Sequence, residues 1–215
     1  MKISIINGSQ KSGQSNSGLI LEWLNKLIKN DHEIKNYKLK MKLFTEDIYS
    51  EIISGEVIVL AFPLYRNSIP ANTLQMLIEL EKILKEKRTK DIIVYTIINL
   101  GFYEAKQAHI AFENIKHWCE RSEVKFGGGI GQGAGEMLGA MRKIPLNIGL
   151  YNNLWRALKL MSDKIVLKES FDVIYLSPYC PKFLWRLMGH ITWNMRAKKN
   201  GLKKKDIIST PFKNK

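Results

Sequence analysis

Residues 3–17, ISIINGSQKSGQSNS, decide how this chain is read. Ile3 to Ile6, apolar except for Ser4, make a short strand that Gly8 ends. The following residues include Ser9, Ser12, Ser15, Asn16 and Ser17, and an amphipathic run begins at once. A strand that empties through small hydroxyl residues into a helix start makes a cup of backbone N–H and O–H donors. The positive end of the helix dipole points into that cup. Such a cup fits a phosphate. Taken alone, the same residues also describe a β-turn and an N-cap, so the rest of the chain must decide.

Outward from this stretch, strand and helix signals alternate. Leu19, Ile20, Trp23, Leu24, Leu27 and Ile28 form one helical stripe. Residues 33–41 alternate weakly, as an edge strand does, and residues 44–53 read as a short helix stopped by Gly55. Residues 57–62 are a continuous apolar run, the pattern of a parallel strand covered on both faces, and residues 92–98 read as a further buried strand. Pro70 suits the first turn of a helix running to about Lys87. Ala108, Ala111, Phe112, Ile115 and Trp118 mark another helix, and residues 124–130 a fifth strand weakened by its glycines. Five strands separated by helices predict an α/β, doubly wound, five-stranded parallel sheet. Beyond it come a loop over residues 132–146, a helix over 148–167, a strand-like piece at 171–176 and a last helix ending near Lys199. This divides the chain into a ligand-binding domain, residues 1–168, and a helical, basic C-terminal extension, residues 169–215.

Composition narrows the function classes. At 215 residues, with 45% hydrophobic and 25% charged residues, the chain suits one soluble domain with a small appendage. Cys119 and Cys180 lie far apart, with no CxxC, which argues against a disulfide framework, a zinc site and a dithiol redox motif. The four histidines make no metal-ligand pattern; His109 and His117 share a helix but lack a third partner. No window suits a signal peptide or a membrane span, so the expected location is cytoplasmic. The net charge of +14 sits mainly at the end. Residues 182–215 hold ten Lys or Arg against one acid, Asp206, a net +9, which leaves +5 for residues 1–181. Such a distribution describes an appendage and does not suggest a core built for nucleic acid.

In an open doubly wound sheet, ligands sit beyond the carboxyl ends of the strands, where the strand order reverses. For the order 2-1-3-4-5 that point lies between the first and third strands. The loops there are residues 7–17 and 62–69. The second, FPLYRNSI, carries a rigid Pro63, an aromatic Tyr65 and a basic Arg66. A flat ring could lie against it while the first loop takes an anion. An ordinary βα loop accounts for either segment alone; it explains poorly why both are equipped for a ligand. A third loop, NLGFYE from Asn99 to Glu104, offers Gly101 for close approach and Phe102 or Tyr103 to flank the same ring.

These residues carry a family resemblance. GSQKSGQSNS is similar to the phosphate loop GSPKxxxSNT of flavodoxin-like NAD(P)H-dependent FMN reductases, and AFPLYRNSIP resembles their second signature, an FPLY run before SIPA. The match covers roughly residues 1–140; Gln10 replaces a frequent Pro, and Ser17 replaces Thr. The resemblance implies a flavodoxin-like fold and FMN as cofactor. Ser9, Lys11, Ser15, Asn16 and Ser17 would take the phosphate. Pro63, Leu64, Tyr65 and Asn67 would meet the ring, with Asn99, Gly101 and Phe102 along its other side. NAD(P)H would be the co-substrate and a quinone, nitro or azo compound or free flavin the small-molecule acceptor. Few acid–base groups are in view, as suits an enzyme whose cofactor carries the redox step. Tyr65 and Arg66 are the candidate catalytic residues at the entrance. The other class of function is a flavodoxin-type carrier that binds FMN without oxidising NAD(P)H. Members of the family are often dimers, which implies a homodimer here.

Two segments remain. Residues 127–135, GGGIGQGAG, include a degenerate GxGxxA (Gly129, Gly131, Ala134), read as a loop over the site with Gln132 and Glu136 facing the substrate. In the tail, Leu184, Leu187, Met188, Ile191 and Met195 make a helical stripe beside Arg196, Lys198 and Lys199. Packing on the domain or on a second subunit is the plain reading. A weak membrane-surface contact is another, and no specific nucleic-acid partner is expected.

Overall fold

The computed structural model describes residues 1–28, 31–139, 142, 146–203 and 206. Part of the loop expected over 132–146 and most of the basic stretch after residue 203 therefore lie outside the described residues. Two compact units form, Met1–Tyr179 and Cys180–Lys215. The first unit holds β1 (Lys2–Asn7), α1 (Asn16–Leu27), β2 (Glu33–Lys38), α2 (Glu46–Ile53), β3 (Val57–Pro63), α3 (Ala71–Lys87), β4 (Ile93–Asn99), α4 (His109–Arg121), β5 (Lys125–Gln132), α5 (Asn152–Leu167) and β6 (Ile174–Leu176). The second holds α6 (Lys182–Lys199).

The sheet is parallel throughout and six-stranded, in the order β2-β1-β3-β4-β5-β6. This corrects the expected five strands. β6 adds a sixth through three pairs, Ile130 with Ile174, Gly131 with Tyr175 and Gln132 with Leu176. It covers the last three residues of the strand-like piece expected at 171–176, all half-buried. Pairing along an existing edge makes it a strand. The edge strand β2 stops at Lys38, short of Met41, and α5 starts at Asn152, after Ile148.

Period-2 alternation divides the apolar strands between two cores. Val57, Val59 and Ala61 face α1 and α5, among Ile20, Leu24, Leu154, Leu158 and Met161. Ile58, Leu60 and Phe62 face α2, α3 and α4, among Ile52, Leu77, Leu80, Phe112 and Ile115. Each fully buried aliphatic or aromatic side chain contributes about 1.5–3 kcal/mol. Two such layers account for the uninterrupted hydrophobicity of β3 and the nearly apolar run of β4, which buries one polar residue, Thr96, in its middle.

The glycines of β5 have a packing reason. A Cβ on Gly127 would stand 2.6 Å from the Tyr95 ring, and one on Gly129 would strike the Phe112 ring. The register shifts between Val94 and Tyr95, which pair with Phe126 and Gly128, so Gly127 is left over as a bulge. Gly129 and Gly131 therefore lie inside a strand, which removes the GxGxxA reading. Gln132 is fully buried and donates through Nε2 to the Gly133 carbonyl at 2.7 Å, so it does not face a substrate.

Candidate functional site

β1 lies between β2 and β3, so successive connections leave it in opposite directions, and the carboxyl ends of β1 and β3 flank the point at which open α/β sheets hold ligands. The loops after β1, β3, β4 and β5 share that edge. Backbone bonds tie them together: Gly8 N–H donates to Ala61 O at 2.8 Å, Leu64 N–H to Asn99 O at 2.8 Å, and Leu100 N–H to Gln132 O at 3.0 Å.

The loop after β1 is built around the start of α1. Ser15 is its N-cap, accepting from the Gly18 N–H at 3.0 Å, an interaction that typically contributes about 1 kcal/mol. Asn7 holds both ends of the loop. Its Oδ1 accepts from Ser9 N–H at 3.0 Å, and its Nδ2 donates to Ser15 Oγ at 3.3 Å. Lys38, at the end of β2, donates to the carbonyls of Ser12 and Gly13. With those carbonyls turned to a lysine, the amides are left to face elsewhere. Among the described residues, no protein acceptor meets the backbone N–H groups of residues 10–17. The first turn of α1 contains no acid. This is the donor set an anion needs at a helix N-terminus.

Two side chains of this stretch serve the frame. Ser17 Oγ donates to Asn99 Oδ1 at 2.6 Å, and Asn16 Nδ2 donates to Gly135 O at 2.7 Å. Ser9, Ser15 and Ser17 are buried, while Lys11, Ser12, Gly13 and Gln14 are exposed. The Arg142 guanidinium donates to Gln14 Oε1 and so brings a further cation to the loop.

After β3 the chain makes a tight turn. Tyr65 and Ser68 bond reciprocally, at 3.0 and 2.9 Å, and the two residues between them, Arg66 and Asn67, have φ of 47° and 62°. Two left-handed central residues match a type I′ turn. Asn tolerates that conformation, whereas at Arg66 it costs on the order of 1–2 kcal/mol. Leu64 and Ile69 anchor the turn in the core, and Tyr65 and Arg66 project from it exposed. After β4, Asn99 is buried, Gly101 is exposed and Phe102 is half exposed. Tyr65 and Phe102, 50% and 48% exposed, thus stand on loops of adjacent strands. Glu136 lies beside Gly101: its Oε1 would be 3.5 Å from a Cβ there.

The sequence-read residues Ser9, Lys11, Ser15, Asn16, Ser17, Pro63, Leu64, Tyr65, Arg66, Asn67, Asn99, Gly101 and Phe102 all fall on this edge of the sheet. Sequence reasoning missed Asn7, Lys38 and Arg142. Asn7 had a signal, an Asn at a strand end before Gly, the setting of an Asx turn; the two cations had none. Elsewhere, burial in α4 pushes the Cys119 thiol up to about 12, which leaves no thiolate for nucleophilic chemistry.

Solved structures with this architecture decide the fold. A protein described as an NADPH-quinone reductase from P. pentosaceus superposes with a TM-score of 0.57 at 15% identity, covering 75% of this chain and 98% of that one. The fold is flavodoxin-like. The Trp repressor binding protein of Bacillus subtilis gives 0.55 at 15% identity, covering 74% and 98% of the two chains. A flavodoxin of Streptococcus pneumonia TIGR4 gives 0.53 at 8% identity, covering 77% and 99%. Comparison with protein-family models and with curated proteins found no match.

Proposed function

We propose that this flavodoxin-like chain is an FMN-dependent oxidoreductase that takes hydride from NAD(P)H and passes electrons to a small acceptor such as a quinone, a nitro or azo compound or free flavin. The observation that carries the reading is the run of backbone N–H groups over residues 10–17, without a protein acceptor among the described residues, at a helix N-terminus free of acids. A terminal phosphate fits that donor set. Two exposed aromatic side chains on the neighbouring loops fit a flat ring. Bound there, FMN would supply the two-electron chemistry that the side chains lack.

The residues divide the work. The amides of residues 10–17, with Lys11, take the phosphate. Asn16 and Ser17, committed to Gly135 and Asn99, hold the loop against its neighbours. Leu64, Tyr65 and Asn67 border one side of the ring, and Asn99, Gly101 and Phe102 the other. Pro63 fixes the exit of β3. Tyr65 and Arg66 guard the entrance, where the guanidinium attracts an anionic dinucleotide. The neighbour described as an NADPH-quinone reductase supports this reading, and the flavodoxin neighbour supports the cofactor.

The experiment is anaerobic stopped-flow reduction of the FMN-loaded protein by NADPH and by NADH. Rapid bleaching of the flavin is expected. A protein that retains FMN but is not bleached by either is a carrier, and one that takes up no FMN loses the cofactor assignment.

A further inference from the structure

We propose that α6 is an interfacial helix that docks this chain on an anionic lipid surface. Its 18 residues include no buried one. Phe183, Leu184, Leu187, Met188, Ile191 and Met195 recur at helical spacing along one stripe, and all six are exposed. Arg186 falls on the opposite side of the helix, and Arg196, Lys198 and Lys199 crowd its last turn. The helix carries no acid. A continuous apolar stripe beside unbalanced positive charge is the pattern of a helix lying in the headgroup region. Among the described residues no helix is long and apolar enough to cross a membrane, so this one would lie on the surface.

Charge selects the occupant. Two copies of α6 joined along their stripes would bring like charges together with no acid on either helix to offset them. An anionic bilayer meets both needs, taking the apolar face into its boundary and the cations onto its headgroups. The inference does not depend on the cofactor site.

The test is cosedimentation of the full chain with phosphatidylglycerol vesicles and, separately, with phosphatidylcholine vesicles. Binding to the anionic vesicles at low salt is expected, with release at about 1 M salt, where the screening length falls to about 3 Å. Each cation removed should weaken binding roughly fivefold, so R186Q/R196Q should lose about 25-fold. L187E/I191E should abolish binding. Both pairs are exposed, and circular dichroism checks that the variants fold. No binding of the unmodified chain at low salt overturns the proposal, as does full binding by L187E/I191E. An oligomer that L187E/I191E dissociates, with no vesicle binding by either protein, assigns the face to a second copy and also overturns it.

Discussion

Ser17→Ala separates two roles for one hydroxyl. Ser17 Oγ donates to Asn99 Oδ1 at 2.6 Å, and the residues are 1% and 7% exposed. Alanine nearly preserves the volume, so the cost is that of a buried acceptor left without its donor, about 1–3 kcal/mol. For a chain of this length each kcal/mol lowers Tm by about 2–4 °C. The expected drop is therefore roughly 2–12 °C. It should be measured on the flavin-free protein by thermal and guanidinium unfolding, together with Asn99→Ala and the double variant. Coupling between the two sites should reach about 0.5–3 kcal/mol, as for residues in direct contact. A hydroxyl reserved for phosphate behaves differently: its loss leaves the flavin-free protein unchanged and appears only in FMN affinity. Unfolding within about 0.5 kcal/mol of the unmodified protein, with additive single variants, would refute the bridge between α1 and β4.

Ser12→Glu places a carboxylate on the exposed part of the phosphate loop. At about 4 Å even bulk water leaves about 1 kcal/mol per pair of like charges, and a phosphate monoester carries nearly two, so FMN affinity, read by fluorescence titration, should fall roughly tenfold or more with the fold intact. Gly133→Ala would drive a Cβ into the Tyr103 carbonyl, and calorimetry should show a loss of about 1–3 kcal/mol. The Glu81 carboxyl is held below its ordinary 4.5, first by the hydrogen bond from Lys85 and then by Arg121. A depressed folded value adds stability that is present above pH 4.5 and lost as pH falls through the folded value. Unfolding across this acid range should therefore show the unmodified protein losing stability faster than Glu81→Gln; parallel curves would remove the assignment.

The sequence by itself determined the parallel sheet and which loops lie at the carboxyl ends of its strands. Strands buried on both faces are apolar at nearly every position, which made residues 57–62 and, despite Thr96, 92–98 legible. The N-cap at Ser15 is a local interaction over three residues, and the rigid, aromatic and basic loop after β3 stood out by composition. Tertiary structure alone decided what depends on distant partners. The strand-like piece at 171–176 became the sixth strand of the sheet because β5 offers it an edge. Gly127 and Gly129 of β5, which weakened it as a strand, are required by the Tyr95 and Phe112 rings packed against them. Ser17 and Asn99 are 82 residues apart, and Asn16 and Gly135 are 119 apart. Whether a polar side chain in such a loop faces a ligand or braces a neighbouring strand depends on which groups the fold brings within about 3 Å, and no local pattern encodes that.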